Sequence, residues 1–219
     1  MLNDNSRVVL FANSDLSAPE ILRVQLHPDD TLIAVDGGLR HIVSLDLIPD
    51  LILGDLDSAN PEDVQRFESQ GIPVRRYPVD KNETDLELGI EAALALHPYV
   101  IWITAALGGR LDQTLGNIYL LTRPDLGAID VRLMDGTQEV FLIRDQAPLF
   151  GQPGQTVSLL PLMGPVTGVT TSQLAFPLNH ETLYPDRTRG ISNRMTTTTA
   201  AVSINSGFLL CIHTFNDTH

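Results

Sequence analysis

Four short segments of this 219-residue chain combine glycine and aspartate in ways that suit phosphate chemistry: Asp36-Gly-Gly, Gly54-Asp-Leu-Asp-Ser58, Asp80 ahead of Thr84-Asp85, and Gly108-Gly-Arg-Leu-Asp112. Asp55 and Asp57 are the sharpest pair. On an extended backbone, residues i and i+2 project to one side with Cα atoms about 6.6 Å apart. Two carboxylates so placed can converge on Mg²⁺, a hard cation that takes oxygen ligands and shares them with substrate phosphates. Lys81 is the chain's one lysine, and a compact ammonium between Asp80 and Asp85 suits contact with a phosphate. Gly108 and Gly109 would let backbone amides approach a phosphate closely, with Arg110 beside them. Asp and Gly are also ordinary turn residues, so each segment alone reads more readily as a turn than as a site. Their coincidence points to a site.

The elements that must position these segments alternate strand and helix. Apolar runs at Arg7–Ala12, Thr31–Val35, Leu51–Leu53, Ile72–Tyr77, Val100–Ala105 and Val131–Met134 predict strands, apolar on both faces as in a covered parallel sheet. Ser17-Ala-Pro-Glu20 and Thr84-Asp-Leu-Glu87 read as capping boxes at helix starts, with Thr84 as N-cap. Helices are further expected over 63–70 and 113–122. In open sheets of this kind, ligands bind beyond the carboxyl ends of the strands. All four Gly/Asp segments follow predicted strand ends.

The pattern changes near residue 135. Short Thr-rich, strand-like pieces follow at Val140–Ile143, Val157–Leu160, Val169–Ser172, Thr197–Ile204 and Phe208–Thr214, punctuated by Gly and Pro. Asn205-Ser206-Gly207 reads as a hairpin joining the last two. The fold expected is α/β: an amino-terminal mostly parallel sheet with helices on both faces over 1–135, and an all-β sandwich or barrel-like domain over 136–219.

Composition narrows the function. The net charge of −13 disfavours nucleic acid and anionic membranes as partners. Residues 1–135 carry 22 acids against 10 bases, the remainder 5 against 4. A phosphate site so crowded with Asp needs divalent cations, and spare carboxylates suit a cationic second substrate. Lone Cys211 excludes a disulfide framework. The longest apolar stretch, 99–107, is far short of a membrane span. The first six residues lack signal-peptide character, so the cytoplasm is the expected compartment. Gly-x-Gly-x-x-Gly and the P-loop motif are both missing. The six His show no metal-ligand spacing, and neither Ser44 nor Ser172 lies in a nucleophile elbow.

Asp36-Gly-Gly, Ile48–Ser58, Thr84-Asp85 and Leu107–Asn117, in that order, resemble the thiamine pyrophosphokinase family. Gly190-Ile-Ser-Asn193 is similar to that family's carboxy-terminal thiamine-binding motif. The resemblance implies Mg²⁺-dependent transfer of the pyrophosphoryl group of ATP to the hydroxyethyl oxygen of thiamine, releasing AMP. It implies Asp55, Asp57 and Asp85 as metal ligands and, with Arg110 and Asp112, as catalytic residues. ATP would lie against Asp36, Gly37, Lys81, Thr84, Gly108, Gly109 and Arg110, and thiamine against Asp112, Gln113, Phe176, Ser192 and Asn193. The family acts as a homodimer with thiamine shared between subunits. One departure stands out: where many members read Thr-Thr-x-Gly-Leu, this chain has Gln173 in place of the glycine.

Other readings keep the Asp cluster: a pyrophosphokinase for another alcohol such as a hydroxymethyl pterin, an Asp-x-Asp glycosyltransferase, and a non-catalytic Mg-nucleotide sensor. Acceptor panels, nucleotide-sugar turnover and AMP formation separate them.

Overall fold

The structure, a computed structural model, describes residues 6–215. Residues 1–5, which carry most of the signal-peptide reading, lie outside it. The chain divides into two compact units, Met1–Gly136 and Thr137–His219.

In the first unit, strands β1 (Arg7–Phe11), β2 (Thr31–Val35), β3 (Leu51–Gly54), β4 (Val74–Arg76), β5 (Val100–Thr104) and β6 (Asp130–Met134) pair in the order β4-β3-β2-β1-β5-β6. Every pairing is parallel. Because the order reverses at β1, a crevice must open between β1 and β5 at their carboxyl ends. Four helices bury side chains in the first unit, α1 (Pro19–Gln25), α2 (Leu39–Ser44), α3 (Pro61–Ser69) and α4 (Asp85–Leu94), while α5 (Leu111–Leu120) carries no buried residue. Val9, Phe11, Leu32, Ala34 and Ile52 form one cluster with Leu22 of α1, Ile42 of α2 and Phe67 of α3. The alternate residues face α4, where Gly89 lets the helix lie directly on Val35 and Leu10.

Local signals explain these elements unevenly. Thr84 caps α4, its hydroxyl accepting the Glu87 N–H at 3.2 Å, and the Asn60 side chain accepts from Glu62 N–H at the start of α3. The expected box at Ser17 does not form: α1 begins on Ala18 without a side-chain cap, its entry set by Pro19 at the first helical position. Helix α2 escapes the sequence because six residues carry too little periodicity.

The second unit comprises β7 (Gln138–Ile143), β8 (Gln146–Phe150), β9 (Thr156–Ser172), β10 (Glu181–Leu183), β11 (Asn193–Arg194), β12 (Thr199–Ser203) and β13 (Ser206–Thr214). It is antiparallel in the order β7-β13-β9-β12-β8, with β10 and β11 also on β9. Two pieces expected as separate strands are one 17-residue strand, β9, bent where Met163 and Gly168 take positive φ. That bend overturns the expected hairpin. β13 pairs along Thr156–Thr167 of β9 and β12 along Thr170–Ser172, so β12 and β13 flank β9 instead of pairing with each other. Phe141, Leu159, Val169, Leu183 and Leu209 close one core.

Candidate active site

A cleft of about 520 Å³ opens in the first unit at the carboxyl ends of β1 and β2, against the starts of α4 and α5. Asp36, Thr84, Asp85, Arg110, Asp112 and Gln113 all line it. Beside it, Asp36, Asp55 and Asp57 each bring one carboxylate oxygen within 4.8 Å of the others. The route to that convergence differs from the extended geometry expected. Leu56, between the two aspartates, has φ +63, so a turn and not strand alternation brings them together. A leucine in the left-handed region is uncommon; here its side chain packs against the sheet's apolar cluster, which offsets the strain.

Asp36 is itself left-handed at φ +48 and nearly buried. Asn13 Nδ2 donates to its Oδ2 at 3.2 Å, and the Ser58 N–H to its Oδ1 at 3.3 Å. Burial pushes its pKa up, amides of Gly37 and Ser58 pull it back, and the Asp85 and Asp55 charges raise it again. Asp85 is turned elsewhere. Its Oδ1 accepts the Asp55 N–H at 3.2 Å and lies 3.0 Å from Lys81 Nζ. Lys81 also reaches Asp55 Oδ2 at 3.5 Å and the Pro78 carbonyl at 3.2 Å. Burial works against its charge, but Asp85 and Asp55 more than compensate and hold the ammonium above the ordinary lysine value.

The glycines divide by role. Gly37 is buried beneath the Asn13 side chain, away from the cleft wall, and a Cβ on Gly38 would strike the Phe11 carbonyl. Both allow close approach to β1 and present no visible surface for phosphate. Gly108 and Gly109 are exposed at φ +86 and +66, in open space. Thr114 Oγ1 donates to the Gly108 carbonyl and Asn117 Nδ2 to that of Ala106, tying this loop to α5. Arg110 forms a fork with Asp112, Nη2 to Oδ2 at 2.5 Å, and that guanidinium holds the Asp112 carboxyl below its usual range.

Three contributors were not singled out from the sequence. Asn13 and Ser14 line the cleft at the end of β1, and Arg40 holds their backbone carbonyls at 2.8 and 2.9 Å while also bonding the Asn13 side chain. No glycine marks that strand end; only the strand order identifies it as the switch point.

In the second unit Phe176 is exposed, and Ser192, at φ +58, donates its N–H to Ser158 Oγ. Asn193 is buried. Its Oδ1 accepts from the N–H groups of Phe176 and Arg194, both at 2.9 Å, and its Nδ2 donates to the Phe176 carbonyl at 2.6 Å. Gln173 takes φ +58, the conformation that a glycine adopts without cost. Gln173→Gly is therefore expected to raise thermal stability slightly, by up to about 1 kcal/mol. A melting temperature lowered by the substitution would refute the strain.

Family comparison agrees with this architecture. Residues 24–133 match the model described as thiamin pyrophosphokinase, catalytic domain, and residues 144–209 that described as thiamin pyrophosphokinase, vitamin B1 binding domain. The thiamine pyrophosphokinase of Bacillus subtilis (strain 168) is 28% identical over 188 residues, covering 82% of this chain and 85% of the relative. A crystal structure of thiamine pyrophosphokinase from B. subtilis superposes with a TM-score of 0.87 at 25% identity, covering 96% of this chain and all of that one. The Candida albicans enzyme, at 19% identity, shares the fold with a TM-score of 0.80 over 96% of this chain and 89% of its own. A chain whose two units match the catalytic and vitamin B1 binding models in sequence order belongs to the thiamin pyrophosphokinase family.

Proposed function

We propose that this chain transfers the pyrophosphoryl group of ATP to the hydroxyethyl oxygen of thiamine, giving thiamine diphosphate and AMP. The observation that carries the reading is the convergence of Asp36, Asp55 and Asp57 beside the switch-point cleft, in a chain whose second unit matches a vitamin B1 binding domain. The alternative acceptor, glycosyltransferase and sensor readings find no support in that match. Three carboxylates are the hard oxygen donors that Mg²⁺ prefers, so the residues present fit the ion. Asp55 and Asp57 would hold it, with Asp36 as the third carboxylate of the cluster. Asp85 would join once Lys81 leaves it for a phosphate. When bound, Mg²⁺ neutralises charge on the transferred group.

The chain's own groups do the rest. Thr84 and the amides at Gly108 and Gly109 border the path of the phosphates, and Lys81 and Arg110 supply fixed positive charge. The catalytic demand is alignment of the alcohol with the β-phosphorus and compensation of charge on the AMP leaving oxygen. Arg110 depresses the basicity of Asp112, so Asp112 serves better to orient the alcohol than to take its proton. Gln113 on the cleft wall and exposed Phe176 and Ser192 would meet thiamine, whose cationic thiazolium suits the acidic first unit. Gly37 would act by letting its turn pack against β1. We place the reaction in the cytoplasm and in a homodimer, with thiamine shared between subunits; light scattering at micromolar concentration should give twice the chain mass of 24.0 kDa. No helix of the described residues is long and apolar enough to cross a membrane.

The deciding experiment measures AMP release from Mg-ATP with and without thiamine, and the product mass. Thiamine-dependent AMP with thiamine diphosphate as product supports the proposal, and tight Mg-ATP binding without AMP overturns it. Lys81→Met should raise the KM for ATP by about tenfold, the scale of one charge-assisted hydrogen bond. An unchanged KM would remove Lys81 from the phosphate site.

A further inference from the structure

Ala175, Phe176 and Pro177 bulge outward between two buried leucines, Leu174 and Leu178. Phe176 leaves 59% of its surface in water, which forgoes the favourable burial of an aromatic ring. Its backbone is nevertheless fixed on both sides. The Asn193 amide accepts the Phe176 N–H and donates to the Phe176 carbonyl, as a paired strand would. These partners define which end of the amide is oxygen, because an N–H must face Oδ1 and a carbonyl must face Nδ2. Pro177 further restricts the Phe176 backbone.

Asn193 itself stands on a rigid base. It pairs with Val157 of β9 through β11, and the preceding Gly190 packs so closely on the Leu159 carbonyl that no Cβ would fit. Neighbouring bonds complete the frame: the Ala175 N–H donates to the Arg194 carbonyl at 2.9 Å and the Leu178 N–H to Thr171 Oγ1 at 2.9 Å. With 5% of its surface exposed and three bonds made inside the chain, Asn193 has little left to offer a ligand.

We infer that Asn193 is a positioning residue: it does not touch thiamine but clamps the backbone of Phe176 so that the exposed ring forms a preorganised apolar platform for the thiamine rings. The inference rests on the proposed thiamine pyrophosphokinase activity. It reassigns Asn193 from the thiamine contact that the family motif implies. Preorganisation is what makes one exposed ring effective, since an unclamped loop would lose entropy on binding.

A double-mutant cycle tests this. Phe176→Ala and Asn193→Ala are each expected to raise the thiamine KM and Kd about tenfold, the scale of one aromatic contact, with the KM for ATP unchanged. The double variant should bind thiamine no more weakly than Phe176→Ala alone, because Asn193 acts only through the ring. Losses that multiply to about a hundredfold would mean that Asn193 meets thiamine directly and would overturn the inference. So would a Phe176→Ala variant that binds as the unaltered chain does. Should Asn193→Ala fail to fold, Asn193→Asp replaces it. That variant keeps both acceptor bonds and sets an oxygen against the Phe176 carbonyl, with a loss expected only when Phe176 is present. An unaltered chain that binds no thiamine would overturn the proposed function itself, an outcome separate from additivity in the cycle.

Discussion

An Asp57→Ala variant should lose turnover by at least about a thousandfold while keeping its fold. The size follows from removing one of three converging carboxylates at a site where, on the proposed function, a divalent ion would stabilise several kcal/mol of developing charge. The fold should survive because Asp57 is exposed, its side chain accepting only the neighbouring Ser58 hydroxyl at 2.9 Å in the described contacts. A melting temperature within about 2 °C of the parent is expected, as for other surface changes. A kcat near that of the unaltered chain at saturating Mg²⁺ would refute the metal role of Asp57.

Asp36→Asn should show the opposite trade: activity falls sharply while the free protein becomes more stable. Asp36 is buried beside Asp55, and desolvation together with neighbouring carboxylates raises its pKa. An acid whose folded pKa lies above its unfolded value binds its proton more tightly when folded. Ionising it at neutral pH therefore costs stability, and the cost vanishes as pH falls through that raised pKa to below the ordinary value of 3.8. Asn keeps the shape, tolerates φ +48 and carries no charge. It gives up the bond from Asn13 Nδ2, a smaller loss than the charge it removes. The variant should gain about 1 kcal/mol at pH 7, as stability–activity trades commonly do. The gain should shrink as pH is lowered towards 4. A variant less stable than the parent at pH 7 would show that the carboxylate is held favourably even without a metal ion.

The catalytic half was readable because its signals are local. Thr84 caps α4 through a bond three residues away, and the Gly/Asp segments announce the strand ends by composition alone. The second unit was harder. A 17-residue strand looks like two when Met163-Gly164 and Gly168 interrupt its apolar pattern, and a Gly-containing turn at Asn205–Gly207 looks like a hairpin whether or not its flanking strands pair.

Residue type and spacing by themselves determined the α/β order, the parallel sheet, the β-rich second half and the candidate phosphate residues, because capping, turn chemistry and apolar runs act over a few residues. The tertiary structure decided which carboxylates converge. Asp36 lies 19 positions before Asp55 in the sequence, and only the packing of β2 beside β3, with Leu56 partly buried at a left-handed turn, brings them together while Lys81 draws Asp85 aside. Asn193 followed the same logic. The family motif implies a thiamine contact for it, but the partner of its amide, Phe176, is 17 residues away, and contact across that separation is set by strand pairing on β9.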